Sequence, residues 1–429
     1  SLDDVEVVAH YCDFTHDIVS KRIDLLAPHL AGGELPALRR AYDRTFNAML
    51  SPAAVLQQFE SMGFGRPRRF LPVRHHLAHA ASAYHPSGFD EALILTIDAY
   101  GELESGLFAM GQGRRITEME SIPLLRSVGL IYLMTALYLG FKSLGDEYKV
   151  MGLASYGDPR PYQGDFRRLF DPAVIPPPLV DPGFQSFLQE HLGPPRAPDQ
   201  PLDDRHANIA ASLQQALHDH VLTALDRMKK KTGACRLCLA GGVALNCTLN
   251  GVIARSGLFK EMFVQPASGD DGGSAGAAYA AYESLASPAA PRSKPWLDAY
   301  WGPEFTRRDI LEALRQAGNR LVWSECPDIT QVAARALAEG AVVGWFQGRM
   351  EFGPRALGNR SILADPRRTD MKDLVNERVK RRESFRPFAP AVPEEAAHHY
   401  FDLTGLESSP YMLFTVPVLE EMKGVIPAV

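Results

Sequence analysis

Two strand–glycine turn–helix units follow one another directly in this chain, and they restrict it to a layered α/β fold. The first is a strand at Leu237 to Ala240, the turn Gly241-Gly242 and a helix from Leu245 to Arg255. The second is a strand at Met262 to Val264, a turn holding Gly269, Gly272 and Gly273, and a small-residue helix from Ser274 to Leu285. Such units bury their strands beneath their own helices and leave the strand ends for ligands. An earlier apolar run, Glu91 to Asp98, has strand length and ends in an acid, and Ser105 to Ile122 alternates around Gly111 and Gly113 as a hairpin does. Residues 1–70 read as mostly helical from the spacing of Ile23, Leu26 and Leu30, and of Leu35 and Leu38. Helices are expected over Gly129 to Leu139 and His206 to Lys231. The proline-rich stretch 157–202, with Pro176-Pro177-Pro178 and Pro194-Pro195, reads as an irregular excursion. At 429 residues the chain exceeds one ordinary core. Its best linker, Ser287 to Pro295, predicts a boundary near 300, giving domains 1–300 and 301–429. The second restarts an α/β pattern with helices at Ile310 to Ala317 and Ile329 to Glu339 and a strand at Ala341 to Phe346.

The bulk numbers exclude several classes. A formal charge of −6 gives no global pull toward nucleic acid or an anionic membrane. The longest uncharged apolar run, Val128 to Phe141, is shorter than the roughly 20 residues of a bilayer span. Ser1-Leu2-Asp3-Asp4 opens without the basic region of a signal peptide. Five cysteines are few and odd in number, which fits a reducing, cytoplasmic setting. Cys235 and Cys238 form one CxxC inside a strand-like run, with no second pair to complete a zinc site, and receive no function.

Four segments carry chemistry. His75 and His79 stand at i and i+4, so on a helix both rings share a face and reach one metal at about 2.0–2.1 Å. His76 occupies the place where a helical metalloprotease has its glutamate, and helical His pairs also occur without metal. Gln265 to Gly273 places Asp270 in a glycine-rich turn at a strand end, able to hold a cation or simply to begin the next helix. Gly241-Gly242-Val-Ala-Leu-Asn246 lets a nucleotide approach the backbone at a helix start, without P-loop or GxGxxG spacing. Finally, Arg349 to Arg386 holds eleven Lys/Arg against six Asp/Glu, inside an acidic chain. The interleaved glycines and arginines from Gly348 to Arg360 suit phosphate groups gripped by guanidinium forks. Only one aromatic residue, Phe352, stands among them, where a nucleic-acid surface interleaves several.

Together, five strings resemble the O-carbamoyltransferases of antibiotic biosynthesis and nodulation-factor decoration. They are His75-His-Leu-Ala-His79-Ala-Ala-Ser-Ala, Gly145-Asp-Glu147-Tyr-Lys149-Val-Met-Gly-Leu-Ala-Ser-Tyr-Gly157, Gly241 to Asn246, Gly348-Arg-Met-Glu-Phe-Gly-Pro-Arg-Ala-Leu-Gly-Asn-Arg-Ser361 and Arg386-Pro-Phe-Ala-Pro390. The resemblance implies an actin-like ATPase (ribonuclease H-like) domain to about 300, followed by a smaller α/β domain similar to threonylcarbamoyl-adenylate synthases. It implies one divalent metal, iron or zinc, on His75, His79 and Asp270, with magnesium accompanying ATP. ATP would lie against Glu147, Lys149, Gly241, Gly242 and Asn246, and against Arg360, Lys380, Arg382 and Arg386. Arg349 and Arg355 would stabilise formation of a carbamoyl-adenylate from carbamoyl phosphate. Asp98 would orient or deprotonate the acceptor alcohol, or serve as a strand-end turn residue, and Ala99 stands where the resembled proteins carry glycine. The resemblance also implies a preceding strand pair with a His-Asp motif and further strands beyond Val429. Two other readings are open: a tRNA threonylcarbamoyl-type transferase, and a non-catalytic actin-like scaffold. Neither a nucleic-acid nor a membrane partner is expected.

Overall fold

The stretch read as helical carries a strand at each end. Val7–His10 (β1) pairs in parallel with Arg69–Pro72 (β2), Val7 opposite Arg69 and His10 opposite Pro72. Between them run helices His16–Leu26 (α1), Leu35–Tyr42 (α2) and Pro52–Ser61 (α3), with a π-helical turn over Asp43–Leu50. Four residues are too few for a period of two to stand out, whereas the helical spacing between them is long enough to read. The helices gather Phe14, Val19, Ile23, Leu26, Tyr42 and Phe46 into one apolar cluster. The structure is a computed structural model and describes residues 5–29, 35–142, 145–171, 182–287 and 290–429. Leu30, Pro176-Pro177-Pro178 and Ser1 to Asp4 lie outside the described residues, as does part of the Ser287 to Pro295 linker. The chain divides into two units, Ser1–Trp296 and Leu297–Val429.

The first unit continues with His75–Ser87 (α4), Glu91–Ile97 (β3), the hairpin Glu104–Gln112 (β4) and Arg115–Pro123 (β5), then Val128–Tyr138 (α5) and Glu147–Ala154 (α6). Gln163–Phe170 (α7) and Pro182–Leu192 (α8) correct the irregular reading of 157–202. Phe166 and Phe170, and Phe184, Leu188 and Leu192, are all buried and repeat at helical spacing, and the prolines stay out of the helix interiors. Asp204–Thr232 (α9), Arg236–Ala240 (β6), Cys247–Arg255 (α10), Glu261–Val264 (β7) and Gly273–Leu285 (α11) complete the unit.

Its mixed five-stranded sheet has the order β5-β4-β3-β6-β7. The hairpin is antiparallel to β3, while β6 and β7 run parallel to it. Strand β3 is buried on both faces from Ala92 to Ile97, as a continuous apolar run demands. Burying Leu93, Ile94 and Leu95 contributes about 1.5–3 kcal/mol each, as an upper estimate. On one face Ala80, Ala83 and Tyr84 of α4 pack on Ile94, Cys238 and Ala240. On the other, Val221 of α9 and Leu249 and Ile253 of α10 surround Leu95, Ile97 and Leu239. The outermost strands carry ion pairs: Glu118 and Glu120 of β5 with Arg74 and Arg227, and Glu261 of β7 with Arg236.

Helix α11 lies close against α4. A Cβ on Gly276 would stand 1.8 Å from the Ala78 carbonyl oxygen, so only glycine fits. Among the described residues no helix is long and apolar enough to cross a membrane. All five cysteines are free thiols.

The second unit holds Arg307–Ala317 (α12), Ile329–Ala338 (α13), Val343–Phe346 (β8), Arg360–Leu363 (β9), Met371–Leu374 (α14) and Ala397–Tyr400 (α15). Strands β8 and β9 are antiparallel, Val343 opposite Leu363. Met371, Val375 and Ala428 form its buried cluster, with Val342, Ala364 and Phe388 packed against it.

Candidate active site

Helix α4 begins with the two imidazoles in its first two turns, His75 4% and His79 0% exposed. Their Nε2 atoms lie 3.1 Å apart. The third imidazole of the motif turns away: His76 Nδ1 meets Thr96 Oγ1 at 2.9 Å, and burial holds it well below the usual histidine range. Two carboxylates close on the pair. Asp98, just past β3, puts Oδ2 3.2 Å from His79 Nε2 and 3.8 Å from His75 Nε2. Asp270, in the turn before α11, puts Oδ1 3.5 Å and 3.6 Å from the same atoms. The close seat of Gly276 on Ala78 brings that turn to the imidazoles.

These four donors lie within 4.8 Å of one another. Ligands bound about 2.0–2.1 Å from a tetrahedral ion stand roughly 3.3 Å apart, and those around an octahedral one roughly 3.0 Å. The separations of 3.1 to 3.8 Å span the tetrahedral spacing and lie just above the octahedral one, so the donor set fits a single divalent ion. The electrostatics agree. Burial alone would lower His79, but its bonds to Asp270 and Asp98 raise it to about 9. Burial would raise Asp98, yet the hydrogen bonds of His75 and His79 hold it well below the carboxylate range. The carboxylates thus demand positive charge between them, which a proton or a metal ion supplies.

The sequence reading placed Asp98 at the acceptor alcohol; in the structure its carboxylate lies beside His75, His79 and Asp270, within reach of one ion. The signal for this was its position at the end of a buried strand, but nothing in the spacing tied it to His75, 23 positions earlier by number. Gly242, assigned to nucleotide, donates its N–H to Asp98 Oδ2 at 2.9 Å. Gly241 adopts φ 90°, and a Cβ there would meet Ile97 O at 2.2 Å. The Asn246 side chain is engaged: its Oδ1 accepts from Leu249 N at 3.0 Å and caps α10, and its amide donates to Gln214. Lys149 pairs with Asp146 at 3.0 Å, and Glu147 opens α6.

In the second unit the loop between β8 and β9 is organised by Glu351, which the sequence reading missed. Its fully buried carboxylate accepts from Leu357 N at 2.7 Å, Asn359 N at 2.9 Å and Arg360 Nε at 2.6 Å. Arg349 donates to the carbonyls of Trp301 and Gly302. Arg355 is half-buried, with its Nε unpartnered among the described residues. Lys380 is pushed down first by burial and then by the charges of Arg382 and Arg386, so these three cations stand together. Arg382 also donates to Asn376 Oδ1 and lies 4.7 Å over the Phe388 ring.

Comparison with known proteins covers both units. A family model described as the carbamoyltransferase N-terminus matches residues 55–171 and 188–279, and one described as the carbamoyltransferase C-terminus matches 334–429. Nodulation protein NolNO of Sinorhizobium fredii is 44% identical over 372 residues, covering 85% of this chain and 53% of that protein. Nodulation protein NolO of Bradyrhizobium diazoefficiens is 44% identical over 367 residues, covering 83% and 65%. A 3'-hydroxymethylcephem-O-carbamoyltransferase of Amycolatopsis lactamdurans is 29% identical over 369 residues, covering 82% and 65%. The chain therefore spans between about half and two thirds of the length of these relatives.

Proposed function

Since the chain belongs to the carbamoyltransferase family, we propose that it is an ATP-using O-carbamoyltransferase, forming a carbamoyl-adenylate and passing its carbamoyl group to an alcohol. The observation that carries the reading is the convergence of His75, His79, Asp98 and Asp270 in a chain with this ancestry. The strand order of the first unit, an antiparallel hairpin continued by parallel strands, supports an actin-like, ribonuclease H-like domain. The second unit is assigned to adenylate synthesis for its concentration of cations.

Carbamoyl phosphate first gives up its phosphate to water, leaving carbamate. A carbamate oxygen then attacks the α-phosphorus of ATP, and pyrophosphate leaves. Charge grows on the phosphoryl oxygens in that step, and Arg349, Arg355 and Arg360, with Lys380, Arg382 and Arg386, stabilise it. Glu351 holds their loop in shape, fixing Arg360 while leaving its terminal nitrogens for phosphate. In the first unit Gly241 and Gly242 let the adenylate approach the backbone, and Lys149 supplies charge near the nucleotide. We assign Asp98 to the ligand set with His75, His79 and Asp270, which would hold one divalent ion, zinc or iron. When bound, the ion polarises the carbamoyl carbonyl as a Lewis acid. The acceptor oxygen attacks that carbon, its proton passes to water, and the carbon–oxygen bond to the phosphate breaks to release AMP.

The acceptor is assigned as a hydroxyl on a small natural product, as the hydroxymethylcephem of the Amycolatopsis relative's name is. Incubation with carbamoyl phosphate, ATP and a panel of hydroxylated macrolides, aminoglycosides, cephems and sugars tests this by mass. One product should gain a single carbamoyl group, and His79→Ala should make none. Carbamoylation that continues undiminished in His79→Ala would remove the metal site from the mechanism.

A further inference from the structure

Helix α4 presents both imidazoles in its first two turns, so its amino end must be held still for the donors to meet. The flanking residue does not hold it: Arg74 makes no capping bond with its side chain. The cap arrives from elsewhere in the chain. Glu102, 3% exposed, accepts the His75 N–H with Oε1 at 2.9 Å and Oε2 at 3.1 Å. The same Oε1 accepts Asp13 N at 2.9 Å, tying the segment after β1 to the start of α4. A carboxylate placed there also meets the positive end of the helix dipole.

Glu102 is itself anchored. Arg22 of α1, 4% exposed, donates from Nη1 to the carbonyl oxygens of Gly101 and Glu102, and from Nε to Tyr42 Oη at 2.6 Å. Four rings surround its guanidinium: Phe14, Tyr42, Phe46 and Tyr100, with centroids 4.8 to 5.9 Å from Cζ. Such a cage replaces the water that a buried cation gives up. Gly101 completes the joint, because a Cβ there would stand 2.9 Å from His76 Cδ2. Asp98 leaves the sheet in the same short turn, so the turn carries a metal donor at one end and the helix cap at the other.

We infer that Glu102 is a positioning residue for the metal centre and that Arg22, locked in its aromatic cage, holds Glu102 in place. The inference rests on the proposed metal centre. Through it the α1–α3 segment gains a role, supplying the cage that fixes the geometry between the imidazoles and Asp98. Outer-shell partners of this kind set metal affinity by ordering the ligands before the ion arrives.

Chelator competition with zinc on the full chain reads the effect directly. Glu102→Gln should bind zinc about 10–100-fold more weakly than wild type, while unfolding remains cooperative. Arg22→Lys, which keeps a cation in the cage but loses the fork, should weaken binding in the same direction, and it carries the test if Glu102→Gln does not fold. A folded variant with wild-type affinity overturns the inference. Amide exchange of residues 74–79 in metal-free protein separates the brace from the metal centre. Faster exchange at His75 in Glu102→Gln supports the brace even if wild type proves to bind no zinc, an outcome that would sink the metal centre alone. Unchanged exchange sinks the brace.

Discussion

A carboxylate shut away from water needs a partner for each lone pair it keeps, and Glu351 obtains them from two backbone amides and a guanidinium. Burial works to raise its pKa, but Arg360 and the N–H groups of Leu357 and Asn359 outweigh it and bring it to about 2. The native form therefore binds fewer protons than the unfolded one between the ordinary value of 4.5 and about 2. Glu351 stabilises the fold fully above that window, and its contribution is lost as pH falls through it. Unfolding midpoints of wild type and Glu351→Gln should differ by a constant amount above the window and converge within it. A gap that stays constant down to the acid end would dissociate Glu351 from the loop. At this scale the sequence was legible where chemistry is local. His75 and His79 announced themselves by helical spacing, and the arginines by density. Asp98 was legible as a strand-end acid but not as a neighbour of the imidazoles, and Glu351 not at all, since what defines each is a set of partners brought from distant positions or from the backbone.

Elements set where those residues meet, and the seat of α11 on α4 is the decisive contact. Gly276→Ala would place a methyl against the Ala78 carbonyl. The helices must then separate, at a cost of about 1–3 kcal/mol for overpacking, carrying Asp270 away from the imidazoles. The variant should melt earlier and retain less metal than wild type under identical loading. Full metal retention would mean that Asp270 does not depend on this packing. Helix α11 was readable from its small residues, β3 and β6 from their apolar runs, and the hairpin from its alternation around Gly111 and Gly113. The strands β1 and β2 were not, being four residues each and supported by each other rather than by pattern. Helices α7 and α8 were hidden by prolines at their margins, which mark the ends of helices as well as the absence of them.

At the level of the whole molecule, the proposed mechanism gives the two units different chemistry, so they should fail separately. Arg355→Ala should slow pyrophosphate release from ATP and carbamoyl phosphate by ~10²–10³-fold, as loss of an oxyanion donor does. His75→Ala should release pyrophosphate near the wild-type rate yet transfer nothing to an alcohol. Equal loss of pyrophosphate release in both variants would mean that one site performs both steps. The ion pairs along the rims of the five-stranded sheet have a consequence of another kind. Exposed pairs such as Glu118–Arg74, Glu120–Arg227 and Glu261–Arg236 add little to stability. Their position is what counts: an unpaired strand invites a neighbour to continue the ladder. With charged pairs along β5 and only four residues in β7, a second copy must strip water from ions at one margin and finds little backbone at the other, so both margins make poor templates for a foreign strand.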